Sequence, residues 1–477
     1  MHLPSSSSGA NLINTGSPSR AVLKLATPTV LAMLAQSAVN EIDVIFLSRL
    51  PFPESSNGQA ALLPSLILLW MFGGSLSAIS VGTQAIAARR FAEKRDSEAG
   101  AVLANSWVFS LVAGIVFTIL GYLSIPYVIG VLIQVEEVRE AARSYLNWRL
   151  LGITSMAMTF SFKAFFDGIG RTYVHMVSSI VMNVVNVVLC IVFIFGYWGA
   201  PRMGVAGAGF AAFVSTWIGL AIMIGWAFSA RYRTTYQPFA LGRLSRKVTW
   251  DVLRLSIPSA IATVAVMSGF ALFAMIVSRL DALTHAETVV GPGGRTEAVN
   301  SAATMLIVGI LKLTFTACLA FGTSTATLVS QSLGAGRPDL ATRFGWVSVR
   351  LGLIVFGVVG LLEGVLFTRG LLGIVTQSPA VLEAALGPMR LMGIMTPMIA
   401  VGMILTQALF GAGNTRFVMI VELCLHFLCL VPLAWFLGIT LNLGLWGIWG
   451  AAAVYVVLLT AIMLWKFNSG DWKAIRI

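Results

Sequence analysis

Apolar stretches of about 20 residues, long enough to cross a bilayer as helices, recur along the whole chain. No other feature restricts its fold as severely. Within lipid every backbone N–H and C=O must be paired inside its own segment, so these runs are helices. They lie at 22–48, 60–87, 101–125, 148–166, 174–196, 204–228, 253–279, 300–330, 344–367, 390–410, 416–437 and 445–466. No soluble domain fits between them. Of the 477 residues, 57% are hydrophobic and 10% are charged, whereas a soluble domain carries about 25% charged residues. The expected fold is an all-α polytopic membrane protein with twelve transmembrane helices.

Orientation follows from Lys and Arg, which gather on the cytoplasmic side. With the N-terminus inside, the inside segments hold twenty of them and the outside segments nine, while Lys163 and Lys312 fall within spans. Both termini are therefore expected in the cytoplasm. The net charge of +12 reflects this bias and is no sign of nucleic acid. Residues 1–19 are Ser-rich without a basic leader and read as a disordered cytoplasmic tail rather than a signal peptide. The remaining divisions are a first lobe at 20–228, a basic cytoplasmic linker at 229–252, a second lobe at 253–467 and a short cytoplasmic tail at 468–477.

Cys190, Cys318, Cys424 and Cys429 all sit in apolar runs, where packing is their role. The four His show no metal spacing, and no G-x-S-x-G or P-loop occurs. The chain is thus expected to be no enzyme, to hold no metal and to use no direct ATP drive.

The two halves repeat. KLATPTVLAMLAQSAVNEIDVIFLSRL (24–50) aligns without gaps with RLSIPSAIATVAVMSGFALFAMIVSRL (254–280). IAARRFAEKRDSEA aligns with LVSQSLGAGRPDLA at an offset of 242, the extra residues lying in the loop 281–300. FFDGIGRT aligns with LFGAGNTR near 243, and RLLGI (149–153) with RLMGI (390–394) at 241. Shared membrane composition predicts similar hydropathy but not the SRL or G-x-G punctuation. Six spans per half, both halves starting inside, make two six-helix parallel-repeat lobes around a central cleft. Alternating access by rocking the lobes is the natural use of that design.

These landmarks resemble the multidrug and toxic compound extrusion (MATE) family. TATLVSQSLGAGRPDLA (325–341) resembles its second-half signature, FFDGIGRT and LFGAGNTR its paired turns, and NEIDVIFLSRL its first span. VNVVLCIVFIFG and GVAGAGFAAFVS (185–196 and 204–215) resemble its fifth and sixth spans. The resemblance covers about residues 20–467. It implies a monomeric secondary antiporter, using H⁺ or Na⁺ rather than a cofactor, that exports small amphipathic compounds across the plasma membrane, the inner membrane in a Gram-negative cell. Gly334, Gly336, Gly168, Gly170, Gly411 and Gly413 read as hinge turns at the ends of spans, since glycine permits sharp reversals. Arg337 and Arg343 should hold the turn in water, and Asp339 should cap the next helix.

Ionisable residues inside a bilayer cost about 2.5–3.5 kcal/mol each on insertion scales and usually serve function. Gln36, Asn40 and Asp43 form one helical stripe that the aligned seventh span replaces with Val266, Phe270 and Phe273. In the family an acid at the position of Asp43 is implicated in cation coupling. Glu41 lies on another face. Asn183, Asn186 and Cys190 share a face of the fifth span, from which the two Asn are placed to hydrogen-bond Asp43; several prokaryotic relatives have Asp where this chain has Cys190. Glu422 and His426, four residues apart, are either a proton relay or a buried packing pair. Gln407 lies one turn before Gly411, and Glu363 near an outer end. Acids that Na⁺-coupled relatives carry in the seventh and tenth spans are replaced by Val266-Met267 and Ile399. Lys163 and Lys312 are expected to snorkel or to be salt-bridged. The alternative reading is a flippase for a lipid-linked precursor, whose cleft should be rich in Arg, or a dedicated exporter of one metabolite.

Overall fold

A computed structural model of the chain describes residues 17–133, 135–283, 298–376 and 378–477. Among the described residues the regular structure is helical throughout: α1 (Pro18–Leu47), α2 (Glu54–Phe72), α3 (Ile79–Ala92), α4 (Asp96–Leu132), α5 (Glu136–Arg149), α6 (Gly152–Gly168), α7 (Tyr173–Phe195), α8 (Val205–Phe228), α9 (Ala230–Tyr236), α10 (Arg246–Leu283), α11 (Val299–Gly334), α12 (Pro338–Leu361), α13 (Thr368–Val375), α14 (Pro379–Ala412), α15 (Thr415–Cys424), α16 (Val431–Trp435) and α17 (Gly444–Ser469). Ten helical segments among the described residues are long and apolar enough to cross a membrane. A pair bent by 42°, α2 with Gly74–Ala92, is either an eleventh, broken span or a re-entrant loop. The chain is a multi-pass membrane protein. The expected span 148–166 falls on α6, whose 17 residues sit at the lower end of the roughly 17–25 that cross a bilayer.

Several boundaries differ from the sequence expectation. α1 starts at Pro18, inside the stretch read as tail, because proline suits the first helical position, where its missing N–H costs nothing; residues 1–16 lie outside the described residues, as does most of the expected insertion 281–300. The stretch read as linker contains α9 and the start of α10. The connection after the third span, expected outside, folds as α5. Glu136 and Glu137 in its first turn and Arg149 in its last complement the helix dipole. Ala142, Tyr145, Leu146 and Arg149, at i, i+3, i+4 and i+7, form its buried face. Asp339 sits in the first turn of α12 without making a cap bond, since Pro338 occupies the first helical position and Arg337 the cap. Arg337 and Arg343 are exposed, as expected. Asp281 instead caps α11, accepting from the N–H groups of Asn300 at 2.9 Å and Ser301 at 2.8 Å. All four cysteines are free.

The core lies along α11 and α14, which pack together over most of their length, with α12, α17 and the first turns of α1 around them. Phe162, Phe165 and Phe166 of α6 fill a second cluster against α3, α4 and α9.

Geometry recurs at the spacing of the sequence repeat. Gly170, Gly336 and Gly413 have φ of +74°, +69° and +89°, and Lys94, at the position of Gly336 in the first half, has φ +60°. Each turn is closed by the same hydrogen bond, Arg95 N–H to Arg90 O and Arg337 N–H to Ser332 O at 2.9 Å each, Arg171 N–H to Phe166 O at 2.7 Å, and Asn414 N–H to Leu409 O at 2.8 Å. Gly207 and Gly447, 240 residues apart, let helix backbones meet; a Cβ would lie 2.6 Å from Phe193 O in one case and 2.6 Å from Leu437 O in the other.

Polar contacts tie the ends of α3 and α6 to α11. Gln84 Nε2 donates to Thr323 O at 2.9 Å and Thr327 Oγ1 at 2.8 Å, Ser330 Oγ to Ala85 O at 2.7 Å, and Gln331 Nε2 to Gly168 O at 2.7 Å. Gly334 packs on Arg89, where a Cβ would come 2.5 Å from the Arg89 carbonyl. Arg89, one of the twenty Lys and Arg assigned to inside segments, is buried. It donates to Ile475 O at 2.6 Å and Ala412 O at 3.3 Å. Gly168 and Gly334 thus pack at this seam, whereas Gly336 is exposed in its turn.

Candidate functional site

Asp43, on the C-terminal part of α1, is 1% exposed. Its Oδ2 accepts from the Tyr145 hydroxyl of α5 at 2.8 Å, and its Oδ1 lies 3.9 Å from Cys190 Sγ of α7. Cys190 Sγ also lies 4.0 Å from Asn186 Oδ1. Arg149, one turn beyond Tyr145, is buried within charge range of Asp43 and hydrogen-bonds the Tyr145 hydroxyl. Three helices thereby converge on one carboxylate. Tyr145 donates its proton to Asp43 while its oxygen accepts from Arg149, so the phenol couples the acid to its countercharge. Loading a proton or a monovalent cation on Asp43 weakens its hold on α5 and Arg149.

Among the expected site residues, Asp43 and Asn186 do come together. Gln36 is half-buried lower on α1, and the side chain of Asn40 lies outside the described residues. Asn183 does not reach Asp43. Its Nδ2 donates to Ala35 O and Ser179 O at 2.7 Å each, because at this point α7 faces the α1 backbone two turns below the acid. Asn186 meets Asp43 only through Cys190. Glu41 is exposed and pairs with Lys312 of α11 at 2.7 Å. Lys163 lies within charge range of Asp167, one turn on.

A second polar group stands on α15 and its continuation. Glu422 is buried and accepts from the Tyr455 hydroxyl at 3.0 Å. His426 Nδ1 lies 2.9 Å from Glu422 O and 3.4 Å from Glu422 Oε2. A carbonyl only accepts, so Nδ1 carries a proton. The imidazole fits because Gly269 of α10 has no side chain, where a Cβ would lie 2.4 Å from His426 Cδ2. Tyr455 and Phe270 rings pack on it at 4.7 and 6.1 Å. Gln407 is half-buried and rests on Gly322 of α11.

Tyr145 and Arg149 were missed from sequence. Their only signal was a polar i, i+4 pair closing an amphipathic segment.

A family model, MatE, matches residues 28–192 and 293–436. The chain is 24% identical over 465 residues to a protein of Thermotoga maritima described as a probable multidrug resistance protein NorM, covering 95% of this chain and 92% of that one. It is 25% identical to the multidrug resistance protein PmpM of Pseudomonas aeruginosa, covering 88% and 84%. In fold it matches a solved structure described as the outward-facing conformation of a multidrug resistance MATE family transporter, with a TM-score of 0.85, 21% identity and coverage of 98% and 100%. A transporter from Pyrococcus furiosus matches with a TM-score of 0.85, 20% identity and full coverage of both chains.

Proposed function

Because the chain belongs to the MatE family, we propose that it is a secondary antiporter that exports small amphipathic compounds from the cytoplasm in exchange for H⁺ or Na⁺ by alternating access. The Asp43–Tyr145 hydrogen bond, backed by buried Arg149, carries this reading. A carboxylate held by a neutral donor and a nearby cation is a site whose occupancy changes how three helices are tied.

The rest of the reading is a two-lobed protein of twelve spans in the plasma membrane with both termini cytoplasmic. The recurring turns and glycine contacts support the parallel repeat. The seam of Gln84, Arg89, Gln331 and the C-terminal segment lies at the ends of the helices that face the termini. In the proposed orientation this seam lies on the cytoplasmic side. Drugs as substrates follow from the named relatives.

The test is loss of a preloaded cationic dye from efflux-deficient bacteria, comparing wild type with Asp43→Asn. Efflux that collapses with the mutation and with a protonophore supports H⁺ exchange through this site. Collapse on Na⁺ removal alone assigns Na⁺. Undiminished efflux in Asp43→Asn overturns the site.

A further inference from the structure

Glu363 is one of the buried acids that the proposed exchange does not use. It is 6% exposed and lies in a π-helical turn, Leu362–Leu366, that continues α12. Its Oε2 accepts from Thr314 of α11 at 2.9 Å, and its Oε1 lies 3.0 Å from Thr396 Oγ1 of α14. Thr396 Oγ1 also lies 3.1 Å from Met392 O. Among the described residues no cation is in charge range of its carboxylate. Cys318, on α11, is buried within charge range of it. Lys312 of α11 pairs with Glu41, Arg369 of α13 pairs with Glu383, and Arg390 of α14 is exposed.

Counting protons separates the two charge states. A hydroxyl has one proton to donate. In the ionised state Thr396 must spend its proton on Oε1, and a negative charge stays buried against two neutral donors, an arrangement that is costly without a cation. In the neutral state Glu363 donates from Oε1 to Thr396 Oγ1, Thr396 donates to Met392 O, and Oε2 still accepts from Thr314. Every polar atom is then paired and no charge is buried. The surroundings leave little space for water. A Cβ on Gly360 would lie 2.3 Å from Gly393 O, and one on Gly393 would lie 2.3 Å from Gly364 Cα. Backbone therefore meets backbone on both sides of the acid. π turns of this kind are frequent at functional sites.

From this geometry we propose that Glu363, with Thr314 and Thr396, is a second proton-binding site, in the second half of the chain. A proton from hydronium adds to Oε1 and releases water; on discharge it returns to water, and the charge left behind requires the α12–α14 seam to loosen and admit solvent.

Infrared spectroscopy on the full chain in lipid vesicles tests this without relying on transport. The wild-type minus Glu363→Gln difference spectrum should show a protonated carboxyl band at neutral pH that converts to an ionised carboxylate band on alkalinisation. The same band should persist in Asp43→Asn, so failure of the first-half site does not affect the outcome. Glu363→Gln should fold, because its amide reproduces the neutral acid, donating to Thr396 and accepting from Thr314. Thr396→Val, which keeps the acid and removes its acceptor, should shift the band frequency. An ionised carboxylate at neutral pH in the difference spectrum, or a band unmoved by Thr396→Val, overturns the proposal.

Discussion

The hydroxyl of Tyr145 sits 2.8 Å from Asp43 Oδ2, joining two helices that are about a hundred residues apart in the chain. A hydrogen bond to a charged group contributes about 1.5–3 kcal/mol, and 1.4 kcal/mol is about tenfold in an equilibrium. Tyr145→Phe should therefore fold and insert normally yet slow dye efflux roughly tenfold or more. Arg149→Gln should be more harmful, because it removes the cation from a buried acid. Initial efflux rates, normalised to membrane-inserted protein, check both.

Glu41 and Lys312 form an ion pair between α1 and α11. Both side chains are about half exposed, so in water such a pair adds only about 0–1 kcal/mol. Its weight rises if these positions face lipid or a narrow cleft. Glu41→Lys should impair transport through like-charge repulsion, and Glu41→Lys combined with Lys312→Glu should recover most of it. A swap no better than the single change would show that the pairing itself is unimportant.

The helical class, the multi-pass architecture and the turns were legible because they rest on composition and on glycine, both local properties. The left-handed backbone at Gly170, Gly336 and Gly413 follows from residue type alone. Lys94 shows the limit of that signal, since its backbone adopts the same conformation without glycine. Asp43 could be found as the acid of a polar stripe with Gln36 and Asn40 in an apolar run. Its partners could not, because Tyr145 and Arg149 lie on a helix too polar to register as a span. Asn183 was assigned to Asp43 for sharing a face with Cys190, but small differences along α7 turn its amide to the Ala35 carbonyl instead.

A lysine at positive φ pays a backbone cost of about 1–2 kcal/mol that glycine avoids, offset in part by the greater entropy glycine loses on folding. Lys94→Gly should hold or raise thermal stability by up to about 1 kcal/mol. Gly413→Ala should lose about 1–2 kcal/mol, and more if Ile477, whose Cγ2 would lie 2.8 Å from the new Cβ, cannot move. Melting in detergent separates the two substitutions.

The C-terminal segment should respond to acid. Asp471 accepts from Lys466 at 3.1 Å and from Ser469 at 3.3 Å. The hydrogen bond and charge of Lys466 hold its carboxyl below the ordinary carboxylate range. A carboxyl whose folded-state value is depressed adds stability above its unfolded value, near 3.9, and that contribution is lost as pH falls through the lower folded value. The turn 471–474, which carries buried Trp472, should stay closed at neutral pH and loosen only below about pH 4. Asp471→Asn should remove this dependence, and because the pair is exposed, salt should weaken it. Hydrogen exchange of residues 470–477 across pH is the readout.

Arg89 joins the end of α3 to the chain terminus, donating to Ile475 O at 2.6 Å. Trp472 is fully buried and stacks on Phe467 with ring centres 4.8 Å apart, while Ile477 packs against the apolar cluster of α3 and α6. The last residues thus bridge the second half to the first at the seam of α3, α6 and α11. Deleting 474–477 strips a buried guanidinium of one carbonyl partner, at a cost of about 1–3 kcal/mol, and removes apolar contact that holds the halves together. A stop after Lys473 should lower the melting temperature and raise labelling of a cysteine placed at Gln84 by a membrane-permeant thiol reagent. Arg89→Gln should have the same effect on labelling, because it cuts the link from the other side. If truncation leaves labelling at wild-type level, the terminus is only packed against the seam and does not hold it shut.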